Sequence, residues 1–119
     1  RAYIGGPLVW EGTWKQDTDG LEVSMLEKEI VASILKLLRA RPRCFAWKTH
    51  GGMYGTAGIP DIVACDNGRF VAFEVKRPGG KPTALQTITL GRIRASGGVA
   101  EMVTSAQQAQ AVLDGRSDK

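Results

Sequence analysis

Apolar residues recur every three or four positions between Ser24 and Arg41. This spacing places them on one face of an amphipathic helix. Pro42 cannot continue a helix, so the pattern predicts a first helix that starts at Ser24 and ends near Arg41. The predicted core-facing stripe consists of Leu26, Ile30, Ile34 and Leu37, with Val31, Leu35 and Leu38 beside it.

Two β-prone runs flank the dipeptide Asn67-Gly68. An Asn-Gly pair in that position favours a tight hairpin with a type I′ loop. Pairing outward from this loop brings Asp61 opposite Glu74, with Cβ atoms roughly 5 Å apart. Because side chains alternate along a strand, Lys76 shares the face of Glu74. The same register pairs Asp66 with Arg69, Cys65 with Phe70, and Val63 with Ala72.

The remaining pattern completes an αβββαβα order. This order predicts an α/β fold with a mixed sheet flanked by helices. At 119 residues the chain is long enough for one domain with its own core. The other predicted elements are a strand from Cys44 to Thr49, a glycine-rich loop from Gly51 to Gly58, a helix from Thr83 to near Gly97-Gly98, a strand from Val99 to Thr104, and a helix that Ser105 opens and that stops before Gly115.

The predicted convergence of Asp61, Glu74 and Lys76 suits a divalent metal ion and a phosphate. Hard cations such as Mg²⁺ prefer oxygen ligands, often one or two carboxylates. Two adjacent carboxylates without a cation would repel each other. A lysine beside them can orient a water molecule or neutralise developing charge. The alternative is structural: Asp61 caps a turn, and Glu74 pairs with Lys76 on a solvated face.

Several ordered motifs resemble the virus-type replication-repair nuclease (VRR-NUC) family of the PD-(D/E)xK superfamily. The resemblance covers the chain from about Met25 to about Leu113. It implies a restriction-endonuclease-like αβββαβ core and hydrolysis of DNA phosphodiester bonds by an endonuclease that depends on Mg²⁺ or Mn²⁺. The motifs are Leu26-Glu27-Lys28-Glu29-Ile30, Gly58-Ile59-Pro60-Asp61, Phe73-Glu74-Val75-Lys76, Arg77-Pro78-Gly79-Gly80-Lys81-Pro82 and Leu85-Gln86.

The resemblance also assigns roles to residues. Asp61 and Glu74 would hold the metal with the Val75 carbonyl, and Lys76 would orient or activate the water. A third acidic residue is expected at the start of the first helix. Glu27 is the first choice because it borders the apolar stripe, and Glu29 is the second. Alternatively, Glu27 forms a capping box with the serine three residues before it.

Gln86 occupies the position of a family glutamine that would stand beside the attacking water or the scissile phosphate. An amide donates and accepts hydrogen bonds, which suits that task. Thr83-Ala84-Leu85-Gln86 is also a capping box, and both roles are compatible. Basic residues near the motifs are expected to contact the DNA backbone. These are Lys48, His50, Arg77 and Lys81.

Composition limits the choice of partner more loosely. The formal charge is +4 and the isoelectric point about 9.3, which mildly favours an anionic partner. No motif for reading bases is present, so backbone and shape recognition is expected. No apolar run approaches the roughly 20 residues of a membrane span. Cys44 and Cys65 lie in predicted strands and are expected to be buried, reduced thiols of a cytosolic protein.

The resemblance further implies a homodimer acting on branched or four-way-junction (Holliday) DNA in a bacterial or phage-infected cell. Residues 1–20 fall outside it, and the nuclease-like domain is assigned to residues 21–119. Tyr3, Trp10 and Trp14 are residue types that anchor interfaces, so the first segment is a candidate arm or dimer contact. Two alternatives stay open: a catalytically silent DNA-binding module, and a domain cut from a larger helicase or repair protein.

Overall fold

The computed structural model describes residues 25–50 and 57–116. The described residues have the αβββαβα order predicted from the sequence, and the α/β class is confirmed. The predicted N-terminal segment of residues 1–20 lies outside them. The elements are α1 (Glu27–Arg39), β1 (Cys44–Lys48), β2 (Ile62–Asp66), β3 (Arg69–Val75), α2 (Ala84–Ala95), β4 (Val99–Val103) and α3 (Ala106–Arg116).

The strands form one mixed sheet in the order β1-β2-β3-β4. The first two neighbouring pairs are antiparallel, and β3 and β4 are parallel. The β2–β3 register is the predicted one, from Asp66 opposite Arg69 to Ile62 opposite Phe73. Asn67 has φ 54° and Gly68 has φ 85°, the positive values that a type I′ turn requires at both positions.

Helices cover both faces of the sheet. On one face, α1 and α3 bury the larger core, in which Ile34, Leu38 and Phe73 are fully enclosed. On the other face α2 packs through Leu90 against Ala72 of β3 and Ala100 of β4. Strand alternation puts Glu74 on the same face as Ala72, so this residue lies on the α2 side of the sheet.

The ends of two helices differ from the prediction. Helix α1 begins at Glu27 rather than Ser24 and ends at Arg39. Arg41 instead leaves the helix and makes a bidentate ion pair with Asp66, at 3.0 and 2.9 Å, which ties the end of α1 to the hairpin. Helix α3 continues through Gly115, because burial of Ala109 and Leu113 outweighs the poor helix propensity of one glycine.

The expectation that both cysteines are buried is wrong for Cys65. Both thiols are free, and both residues are in strands as predicted, but Cys65 is exposed and Cys44 is half-buried. The physical reason is that α2 packs on β3 and β4 and leaves the adjoining part of the same sheet face without a covering helix among the described residues.

Candidate active site

Asp61 stands immediately before β2 and is fixed by three hydrogen bonds. Its Oδ2 accepts from the Val75 amide at 2.8 Å. Its carbonyl oxygen accepts from the backbone amide of Thr49 at 2.9 Å and from the Thr49 hydroxyl at 3.2 Å. The same hydroxyl also donates to the Pro60 carbonyl at 2.6 Å. Thr49 is a residue that the sequence analysis missed. Extending the β1–β2 register by one step beyond Lys48 and Ile62 would have placed it opposite Asp61.

Glu74 is the one buried charged side chain among the described residues, with 3% of its surface exposed. The Gln86 amide Nε2 donates to Glu74 Oε2 at 3.0 Å. Lys76 Nζ lies 3.6 Å from the same oxygen, and the Lys76 side chain is 18% exposed. An ammonium and an amide therefore both reach the buried carboxylate, as the shared face predicted for Glu74 and Lys76 requires.

The pKa of Glu74 is raised to about 7, first by burial and then by the neighbouring Asp61 carboxylate, which repels the ionised form and accepts a hydrogen bond from the protonated form. Lys76 acts in the opposite direction, because its positive charge favours the ionised form. The two carboxyl groups are thus close enough to share a proton. The close contact between Asp61 and Glu74 predicted from the hairpin register is present in the structure.

The same arrangement fits a divalent cation. Two neighbouring carboxylates repel each other, and protonation of one of them or binding of a cation would relieve this repulsion. Oxygen donors on adjacent strands are the ligands that Mg²⁺ and Mn²⁺ prefer. Asp61 and Glu74 would hold the ion, and the Val75 carbonyl remains the predicted third ligand. Within residues 25–50 and 57–116, no group of three or more His, Cys, Asp or Glu side chains forms a metal site.

Glu27 does not lie near Asp61 and Glu74. It is the exposed first residue of α1, and α1 packs on the opposite face of the sheet from Glu74. The capping expected from Glu27 is made by Glu29, whose Oε1 accepts from the Leu26 amide at 2.8 Å. Ser24, the predicted capping partner, lies outside the described residues. A catalytic role for Glu27, with Glu29 as second choice, stays a prediction.

Gln86 makes the capping box predicted for α2 and also contacts Glu74, whereas its predicted place beside the attacking water or the scissile phosphate stays a prediction. Its side-chain Oε1 accepts from the Thr83 backbone amide at 2.8 Å. The Gln86 backbone amide donates to the Thr83 hydroxyl at 3.1 Å, which completes the capping box of α2. Because Oε1 is committed to the helix, Nε2 is left to face Glu74. The capping box therefore fixes which end of the side chain reaches the carboxylate.

The basic residues predicted to contact DNA are all exposed. Lys48 ends β1, with its Nζ 3.3 Å from the Thr49 carbonyl, and His50 follows two residues later. Arg77 and Lys81 lie in the connection between Lys76 and α2, where the Gly80 amide donates to the Arg77 carbonyl at 2.8 Å. This connection directly adjoins the carboxylate pair, but DNA contact by the four residues remains a prediction.

In comparisons with known proteins, no family model matches the chain, and no curated protein or solved structure matches it. Among residues 25–50 and 57–116, none of the helices has the length and apolar character needed to cross a membrane.

Proposed function

We propose that this protein is a metal-dependent endonuclease that hydrolyses phosphodiester bonds in DNA. The observation that carries the proposal is the convergence on Glu74 of a second carboxylate, an ammonium and an amide, in a buried position at one end of the sheet. Surface ion pairs contribute little to stability and do not require burial. A buried carboxylate beside a second carboxylate is costly, and such perturbed groups cluster at functional sites.

Each residue has a proposed task. Bound Mg²⁺ or Mn²⁺ would lower the pKa of a coordinated water and withdraw charge from the phosphate oxygens. Asp61 and Glu74 would hold the ion, and the Val75 amide orients Asp61 for this. Lys76, which directly follows β3, would face the attacking water and the developing negative charge. Gln86 holds the Glu74 carboxylate in position.

The resemblance to the VRR-NUC family supports the choice of DNA over other phosphodiesters. On that basis we propose branched or four-way-junction DNA as the substrate, a homodimer as the active form, and the bacterial or phage-infected cytoplasm as the compartment. Residues Lys48, His50, Arg77 and Lys81 would contribute sequence-independent phosphate contacts, whose strength falls as salt rises.

The test is cleavage of labelled duplex, single-stranded, flap and four-way-junction DNA with Mg²⁺, Mn²⁺ or EDTA. We expect cleavage that requires the metal and that Asp61→Asn and Glu74→Gln each reduce by at least about a hundredfold. Both variants should remain folded and should bind DNA within about threefold of the parent, because their side chains keep nearly the same shape.

An exposed acidic residue provides the matched control. Asp114→Asn removes one carboxylate from α3, on the opposite side of the sheet, and should leave cleavage unchanged. Near-parental activity of either site variant at saturating metal would refute the assignment. DNA binding without cleavage under every metal condition would instead favour a catalytically silent binding module.

A further inference from the structure

The sheet face that carries the carboxylate pair also presents exposed aromatic side chains. Phe45 is 70% exposed and Trp47 is 43% exposed, and their ring centroids lie 5.5 Å apart. Both belong to β1, an edge of the sheet. Trp47 pairs with Val63, two residues from Asp61 on the same face, so this aromatic row runs toward the candidate site.

An apolar groove lies next to this row. It has a volume of about 500 Å³ and runs between α2 and the start of β3. Phe70 lies in the groove and is joined to Phe45 through Cys65 in the strand register, so the groove and the aromatic row are continuous. The main apolar side chains of the groove are Ile59, Phe70, Leu85, Ile88 and Ile93.

Two residues that line the groove are close in sequence to residues of the candidate site. Leu85 directly precedes Gln86, which bonds to Glu74. Ile59 precedes Asp61 by two residues. A ligand lying in the groove would therefore contact residues that are neighbours in sequence of Gln86 and Asp61.

The charges bordering the groove favour an anionic occupant. Helix α2, which forms one wall, contains two arginines and no acidic residue. Arg92 lines the groove itself. Exposed aromatic side chains near an arginine are a combination that binds single-stranded nucleic acid, because each base supplies a flat apolar surface and each phosphate a negative charge.

We propose that the groove and the aromatic row bind unpaired nucleotides of the DNA substrate and guide that strand to Asp61 and Glu74. The proposal rests on the proposed nuclease function and adds that, among branched substrates, those with several unpaired nucleotides, such as a flap or splayed arm, use this surface. Bases would stack on Phe45, Trp47 and Phe70, while Arg92 would face the backbone.

Binding is tested with the full chain carrying Glu74→Gln, so that the DNA stays intact. Fluorescence anisotropy would compare labelled oligothymidylate with a duplex of equal length. We expect tighter binding of the single strand, and a roughly tenfold loss for Trp47→Leu or Phe45→Leu with little change for duplex. Leu26→Ala, which removes an exposed apolar side chain directly before α1, is the matched control and should change neither affinity.

Cys65 supplies a probe inside the proposed binding surface, because it is exposed between Phe45 and Phe70. Its reaction with a thiol reagent should be fast in the free protein and at least about tenfold slower with saturating oligothymidylate but not with duplex. Cys65→Ser identifies the signal, and half-buried Cys44 serves as the internal reference.

Three results would overturn the proposal. Equal affinity for single strand and duplex, with no effect of the aromatic variants, excludes a stacking surface. An unreactive Cys65 in the free chain means that the chain itself or a second copy already covers this face. A change of oligomeric state in Trp47→Leu without a change in single-strand affinity assigns the face to self-association. None of these outcomes affects metal-dependent cleavage of duplex, whereas absence of cleavage on every substrate defeats the proposed function itself.

Discussion

The Glu74 carboxyl group is 3% exposed and lies beside a second carboxyl group. At the scale of the residue this placement costs stability, because a buried charge loses hydration and repels its like-charged neighbour. Hydrogen bonding from Gln86 and the charge of Lys76 offset only part of that cost. A divalent cation bound between the two carboxylates would remove this repulsion and would therefore stabilise the folded protein.

The raised pKa of Glu74 predicts how the stability of the metal-free protein changes with pH. The unfolded chain releases this proton near pH 4.3, whereas the folded protein releases it near pH 7. Stability from this group is therefore fully present below the unfolded pKa, is lost as pH rises toward 7, and stays lost above it. Glu74→Gln cannot ionise, so the variant should gain stability relative to the parent across that window.

Urea unfolding of both proteins in EDTA, from about pH 5 to about pH 8, measures this difference. Glu27→Gln provides the control, because it makes the same substitution at an exposed residue away from the carboxylate pair. Parallel stability curves for parent and Glu74→Gln would show that Glu74 titrates like a free glutamate in the folded protein.

Gln86 both caps α2 and contacts Glu74, and two substitutions separate its contribution to stability from its contribution to cleavage. Thr83→Ala removes only the hydroxyl cap and should cost about 1 kcal/mol of stability with cleavage within about twofold of the parent. Gln86→Glu keeps an acceptor for the Thr83 amide but replaces the amide donor with a carboxylate beside Glu74. We expect cleavage to fall roughly tenfold or more in that variant.

Chemical denaturation and initial cleavage rates of Thr83→Ala and Gln86→Glu distinguish the effect of Gln86 on helix stability from its effect on the carboxylate site. Equal losses of activity in both would mean that Gln86 acts only through the helix cap.

At the scale of elements, the β2–β3 hairpin delivers the carboxylate pair. Its turn sets the register, and a shift by one residue would send Asp61 and Glu74 to opposite faces. Helix α2 then brings Gln86 over the strand ends, with its first turn fixed by Thr83. The two elements are independent in sequence, so their alignment depends on packing of Leu90 against Ala72 and Ala100.

The same substitution at two glycines should have opposite effects. Gly68 has φ 85° in the hairpin turn, so Gly68→Ala should destabilise the protein by about 1 kcal/mol or more through backbone strain. Gly91 lies inside α2, and a Cβ there would meet no atom within 4 Å. Gly91→Ala should therefore stabilise by up to about 1 kcal/mol. Urea midpoints of the two variants give the signs directly, and a loss at both sites would contradict the helical assignment of Gly91.

At the scale of the whole molecule, each chain supplies one Asp61–Glu74 pair and therefore one candidate centre. A four-way junction offers two strands in near-symmetric positions, which a twofold-symmetric dimer would match. The aromatic residues of the first segment, Tyr3, Trp10 and Trp14, are candidate dimer contacts that lie outside the described residues.

We predict that the full chain is a homodimer at micromolar concentration and prefers branched DNA to linear duplex. Light scattering measures the first part and competition cleavage the second. A monomer that cuts linear duplex and junctions equally well would preserve the nuclease proposal and remove the junction-resolving one.

Local sequence determined much of this fold. Asn67-Gly68 fixed a turn whose register follows by counting, so the closeness of Asp61 and Glu74 and the shared face of Lys76 were predictable. The Thr83–Gln86 capping box and the element order were predictable for the same reason, since caps and periodicity depend on residues a few positions apart.

Only the tertiary structure decided how those pieces meet. It put α1, and with it Glu27, on the sheet face opposite Glu74, and drew Arg41 out of the helix to Asp66. It left Cys65, Phe45 and Trp47 exposed, because α2 packs over β3 and β4 rather than over the whole face. These outcomes depend on contacts between residues distant in sequence, and periodicity within one element carries no information about which neighbour covers it.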